Sequence, residues 1–172
     1  MTSPNRLLQL TLIACAIGLL PGAPARSAER SLYLFGGMEH EVFLGCVTCY
    51  VSTVFSIWNA DSDYGSPVRE NSIWNPRGKY GSRYSAVSPW NPTATNPPIV
   101  VDRGGNLYGY FTRNRAHPRR ITSIPPSDWP QTEDTRESFI YLAWLLDDYH
   151  LIIANLKDVR AAQAESEDPF GP

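Results

Sequence analysis

The chain has 172 residues, 15 of them Lys or Arg and 17 Asp or Glu, for a formal net charge of −2, and 42% of its residues are hydrophobic. That length holds one domain with a real core and excludes two large ones. The slight acidity offers nothing to nucleic acid or to an anionic membrane surface, so no nucleic-acid partner is expected.

The chain begins with a basic start at Arg6, then a short apolar run over residues 7–20 and the small residues Ala23-Pro24-Ala25. The run is shorter than the roughly 20 residues a membrane span needs, and the three parts together make an export signal over residues 1–25. Cleavage after Ala25 leaves 172 − 25 = 147 residues and no transmembrane span in the mature form. A rival cut exists at Leu12-Ile13-Ala14-Cys15, which resembles a lipoprotein cleavage site and would make Cys15 a lipidated N-terminus. Against it, the apolar run continues past Cys15. The expected location is periplasmic or secreted, with a lipid anchor through Cys15 as the alternative.

A β-rich repeat domain is expected over residues 30–120. Ser31-Leu32-Tyr33-Leu34-Phe35, a polar turn and Val42-Phe43-Leu44 read as one hairpin; Pro98-Ile99-Val100-Val101-Asp102, Arg103-Gly104-Gly105-Asn106 and Leu107 to Thr112 read as a second. The two are related, because Phe43-Leu44-Gly45-Cys46-Val47-Thr48 aligns with Leu107-Tyr108-Gly109-Tyr110-Phe111-Thr112 at an offset of 109 − 45 = 64. Cys46 and Cys49 are the even pair left in an exported chain and are expected to form a disulfide. A redox pair would open a helix, whereas β-formers follow here, and a lone Cys-x-x-Cys is half a zinc site. No metal or other cofactor is expected.

Between the hairpins three tetrapeptides recur: Ser56-Ile57-Trp58-Asn59, Ser72-Ile73-Trp74-Asn75 and Ser88-Pro89-Trp90-Asn91, spaced 72 − 56 = 16 and 88 − 72 = 16. Tyr64-Gly65-Ser66 and Tyr80-Gly81-Ser82 follow the first two at one offset. The density of Gly, Pro, Asn and Ser breaks both the helical and the strand period, so turns are expected, with tryptophans as packing anchors. The sharper reading makes Trp58, Trp74 and Trp90, with Tyr64, Tyr80 and Tyr84, a row of exposed rings for a sugar, and Asn59, Asn75 and Asn91 its amide partners. Asp61-Ser62-Asp63 begins like a calcium loop, but Ser66 and Ser72 stand where such a loop needs Gly and Glu. From residue 40 to 114 the chain resembles a widespread group of small bacterial proteins with repeats of the form Ser-Ile-x-Asn-x-x-Gly-x-Tyr-Gly-Ser-x-Tyr-Ser, most closely over Ser72 to Tyr84. That resemblance implies the domain and carries no activity.

A basic run at Arg113, Arg115, Arg119 and Arg120 around His117-Pro118 reads as a solvated loop. Residues 121–131, rich in Pro, read as a linker. Over residues 132–161 apolar residues fall at helical spacing, with Glu133, Asp134 and Glu137 near the start and Lys157 and Arg160 near the end, which predicts one long helix. A frayed tail over 162–172 is expected. The predicted fold is α+β: a small antiparallel β-hairpin sheet, turn-rich 16-residue repeats and one long C-terminal α-helix.

No nucleophile elbow, phosphate loop or paired metal motif is present. The expected function is a non-enzymatic exported module that binds a glycan or another envelope component. Two alternatives stand beside it. One is a hydrolytic enzyme using dispersed groups such as Glu39, His40, Asp102 and His117; the other is a subunit that docks a protein partner through the helix at 132–161.

Overall fold

A computed structural model describes residues 31–165, so the export signal and Cys15 lie outside the described residues. Four strands, β1 (Leu32–Gly36), β2 (Val42–Cys46), β3 (Ile99–Asp102) and β4 (Leu107–Tyr110), form one antiparallel sheet in the order β2-β1-β3-β4. Each predicted hairpin is there, and the two join through β1 and β3.

The joint is symmetric in register. Leu34 lies opposite Val100 at the centre, flanked by Tyr33 opposite Val101 and Phe35 opposite Ile99. Each hairpin carries one bulge, with Leu44 as the extra residue in the first and Tyr108 in the second, followed by a glycine at positive φ: Gly45 at 109° and Gly109 at 133°. Such a bulge needs a residue without a Cβ penalty in that region, which is why both hairpins keep glycine there. The flanking bonds repeat as well. Cys46 N–H donates to Phe55 O and Ile57 N–H to Cys46 O; Tyr110 N–H donates to Arg119 O and Ile121 N–H to Tyr110 O. Each position moves by the same amount, 110 − 46 = 119 − 55 = 121 − 57 = 64.

Between β2 and β3 the repeats form a coil of consecutive turns. In the second repeat each N–H donates to the carbonyl that opens the turn before it: Asn75 to Ser72, Gly78 to Asn75, Ser82 to Gly78, Ser85 to Ser82 and Ser88 to Ser85. Five turns therefore consume 88 − 72 = 16 residues, which is where the repeat length comes from. The conserved spacing of side chains does the closing. Ser56, Ser72 and Ser88 accept from the N–H two residues on, at Trp58, Trp74 and Trp90. Asn59, Asn75 and Asn91 donate their amides to Thr53, Arg69 and Ser85 and accept from the N–H of Asp61, Arg77 and Thr93. These short polar side chains satisfy backbone groups that neither helix nor sheet would otherwise bind.

The helical region is present, divided into α1 (Glu133–Asp147), α2 (Tyr149–Ala154) and α3 (Leu156–Glu165) rather than running as one rod. Thr132 caps α1 by accepting from Thr135 N–H. The breaks fall at Asp148 and Asn155; at the second, the Asn155 side-chain amide donates to Leu151 O and competes with the helix for that carbonyl. The bends swing Tyr149 onto Trp90, ring centroids 4.4 Å apart, and let the Arg160 guanidinium donate to Gly65 O in the coil. Helix continues to Glu165, past the expected end at 161. Residues 121–131 form no strand or helix, yet they are docked: Ile121 is buried and Trp129 packs on Tyr108 and Phe139.

One core results. Leu32, Leu34, Leu44 and Val100 from the inner face of the sheet meet Ile57, Ile73 and the three indoles from the coil, and Phe139, Leu142, Leu145, Leu146 and Ile152 from α1 and α2. Cys46 and Cys49 are disulfide-bonded, with Cα atoms 5.5 Å apart, where β2 turns into the coil. Closing so short a loop restricts the unfolded chain modestly. Reduction, or Cys49→Ser, is expected to lower stability by about 2 kcal/mol, read from the urea midpoint with and without reductant. An unchanged midpoint would mean that the link adds nothing the sheet does not already fix.

Candidate functional site

The tryptophans are interior. Trp58, Trp74 and Trp90 are 0%, 2% and 1% exposed, so they offer no face to a ligand. They stack in a row at 5.3 Å between successive ring centroids, and each indole N–H is used: Trp58 donates to Val47 O, Trp74 to Ile57 O and Trp90 to Ile73 O. Phe111 and Tyr149 close the far end. Tyr80 is buried against Gly36, and Asn75 and Asn91 are buried with their amides spent on turns, as is the amide of half-buried Asn59. Tyr84 is exposed on the coil, away from other rings but with Arg83 over it. Of the predicted row only Tyr64 joins a ring cluster on the surface.

That cluster covers the outer face of the sheet. Alternation in β1 sends Leu32 and Leu34 to the core and Tyr33 and Phe35 outward, where they meet Phe43 of β2 at 6.0 and 5.4 Å. Phe43 in turn contacts Phe55 at 6.1 Å and Tyr64 at 4.9 Å, both brought there by the start of the coil. Phe55 is 51% exposed and Val54 beside it 63%. At the margin the Tyr33 hydroxyl accepts from Arg103 Nε at 3.1 Å. Burial works to raise the Tyr33 hydroxyl, but bonds from Arg103 and Ser31 and the Arg103 charge outweigh it and hold the group below its ordinary value.

Across the sheet axis the same face carries Ile99, Val101, Leu107 and Tyr110, all half-buried. Tyr110 is flanked by two histidines: His40 at 5.6 Å and His117 at 4.2 Å between ring centroids. His40 sits in the left-handed region at φ 55, its ring fixed by a 3.1 Å bond between Nε2 and Pro97 O. Two of the four dispersed groups named from sequence therefore pack on the same ring, that of Tyr110. The other two are elsewhere: Asp102 accepts from its own turn at Gly104 and Asn106, and Glu39 is exposed in the β1–β2 turn.

Burial holds the His117 imidazole below its ordinary value, and its Nδ1 is buried with no hydrogen-bond partner among the described residues. A histidine depressed in the fold resists protonation, so its contribution is intact above the unfolded value near about 6.5 and is lost as pH falls from there toward the folded value. His117→Asn is expected to flatten that acid-side loss, measured as urea midpoints through the same pH series. Parallel profiles for the two proteins would remove His117 as the cause.

A concavity of about 280 Å³ lies beside β4 between Arg119, Asp128 and the rings of Tyr108, Trp129 and Phe139, which pack on one another at 4.5 to 5.5 Å. Among the described residues no three His, Cys, Asp or Glu side chains gather as a metal site, and no helix is long and apolar enough to cross a membrane. No family model, curated protein or solved structure matches this chain.

Proposed function

We propose that the chain is an exported, non-enzymatic binding module, and that it holds a saccharide of the cell envelope on the outer face of its sheet. The observation that carries this is the half-exposed ring of Phe55 standing at the edge of four further rings, Tyr33, Phe35, Phe43 and Tyr64. Flat, preorganised ring faces suit the C–H faces of sugar rings, and a polar margin such as Tyr33 with Arg103 suits their hydroxyls. The disulfide supports an oxidising compartment, in keeping with the export signal read at residues 1–25.

Calorimetric titration of the exported protein against soluble cell-wall fragments and neutral oligosaccharides tests the reading. Phe55→Ala is expected to weaken binding about tenfold or more with an unchanged melt, while Tyr84→Ala, which removes an exposed ring from the coil, leaves it intact. A panel in which nothing binds, or a Phe55→Ala protein that binds as well as the parent, would sink it.

A further inference from the structure

We infer that Arg83 and Arg113 form a binding site for a phosphate group where the coil meets α2, apart from the ring-lined face of the sheet. Both guanidinium groups are held by tyrosine rings: Arg83 Cζ stands 5.6 Å from the centroid of Tyr84 and Arg113 Cζ 5.2 Å from that of Tyr149. Stacking occupies the face of a guanidinium and leaves the N–H donors around its edge, so each arginine is oriented before a ligand arrives. The backbone beneath them is fixed as well. Arg113 N–H donates to Pro89 O, which ties the chain beyond β4 to the third repeat, and Tyr149 lies on Trp90 of that repeat at 4.4 Å. Arg83 belongs to the turn closed by Ser82 and Ser85, which leads directly into the turn closed by Ser85 and Ser88. Both charges bear on one atom between them: burial raises the Tyr149 hydroxyl, and Arg113 and then Arg83 pull it back.

No acid of the fold neutralises the pair. Neither arginine makes an ion pair among the described residues: Asp147 holds Arg120 at 2.5 Å, and Asp148, next to Tyr149 in sequence, pairs with neither Arg83 nor Arg113. Arg113 Nη2 lies 3.2 Å from His150 Nε2. A guanidinium can only donate, so the imidazole accepts there as a neutral ring and brings no negative charge. Two positive charges brought to one ring repel, and an anion set between them removes the repulsion. A phosphate monoester, at about −1.5 to −2 near neutral pH, offsets both charges, whereas a carboxylate offsets one. Its oxygens can also take N–H donors from two guanidinium edges at once.

Calorimetric titration of the exported protein with inorganic phosphate, glucose 6-phosphate and glucuronate at low salt reads the site. Both phosphates should bind, less tightly as salt rises, and glucuronate at least about tenfold more weakly than either. Glucose 6-phosphate held tighter than the free ion would make a phosphorylated sugar the ligand, and equal affinities would make it phosphate itself; either result supports the site. Arg83→Gln, an exposed change, should weaken phosphate binding about tenfold or more, and Arg113→Gln should do the same, with a thermal melt to show that it has kept its fold. Arg77→Gln, which removes an equal charge from the same repeat, should leave binding unchanged. No phosphate binding, glucuronate bound as tightly as phosphate, or an Arg83→Gln protein that binds like the parent overturns the inference. Phe55→Ala leaves phosphate binding intact and Arg83→Gln leaves neutral saccharide binding intact, so the fates of the two surfaces are read separately.

Discussion

Gly81→Ala is expected to lower the thermal midpoint by about 10 °C, which for a domain of this size corresponds to roughly 3 kcal/mol or more. A Cβ at this position would lie 2.1 Å from Asn75 O, 2.6 Å from its carbonyl carbon and 2.7 Å from its N, all backbone atoms that cannot rotate aside. Asn75 cannot retreat either. Its N–H donates to Ser72 O, its carbonyl accepts from Gly78, and its side chain binds Arg69 O and Arg77 N–H. Relief therefore means opening at least one turn of the coil. Gly65 stands in the same relation to Asn59, with a Cβ 2.0 Å from its carbonyl oxygen, so Gly65→Ala should behave alike. Differential scanning calorimetry of both, beside Tyr84→Ala as an exposed control, makes the check; a melt unchanged by Gly81→Ala would falsify the close approach.

Trp74→Ala should cost at least as much, about 3–5 kcal/mol, because it removes the middle ring of the row and leaves a cavity between Trp58 and Trp90. It also orphans Ile57 O, which receives the Trp74 N–H inside the core. Trp74→Phe separates the two effects. It restores most of the apolar volume but no donor, so the residual loss of about 1–3 kcal/mol is chiefly that of the unpaired carbonyl. Chemical denaturation of both variants reads the two figures; a Phe variant as stable as the parent would mean that the hydrogen bond adds nothing, and one as unstable as Ala that the restored volume does not offset the lost donor.

The parts of this fold that local chemistry decides were legible in the residues. Both hairpins announce themselves through Gly36-Gly37 and Gly104-Gly105 between β-formers, and the aligned Gly45 and Gly109 prove to share one bulge. The tryptophan spacing told that a repeat exists, but regular spacing is equally compatible with a buried row and an exposed one. Burial depends on Val47, Phe111 and Tyr149, distant in sequence, which close the row at its ends. The ring-lined face had a signal that spacing arguments overlook: Leu32-Tyr33-Leu34-Phe35 is apolar at every position, so both faces of β1 carry apolar groups and only one can meet the core. Phe55 reaches that face through Cys46–Ser56 pairing, which no local pattern reveals. The helix breaks at Asp148 and Asn155 were hidden because the apolar spacing runs on through both positions, and the contacts that go with them, Tyr149 with Trp90 and Arg160 with Gly65, join residues far apart in sequence.

The indole row also explains why there are three repeats. Its first ring is tied to Val47, just beyond β2, and its last abuts Phe111, just beyond β4, and these two residues are counterparts in the two hairpins. The row is thus a strut beneath the sheet that runs from the edge at β2 to the edge at β4, with Trp74 at mid-span. Its length is fixed by the width of four strands, and its rings, 5.3 Å apart, advance nearly in step with strands spaced about 4.8 Å. A fourth repeat would make the strut too long for the frame and a second alone too short, so repeat number and strand number in this architecture have to change together.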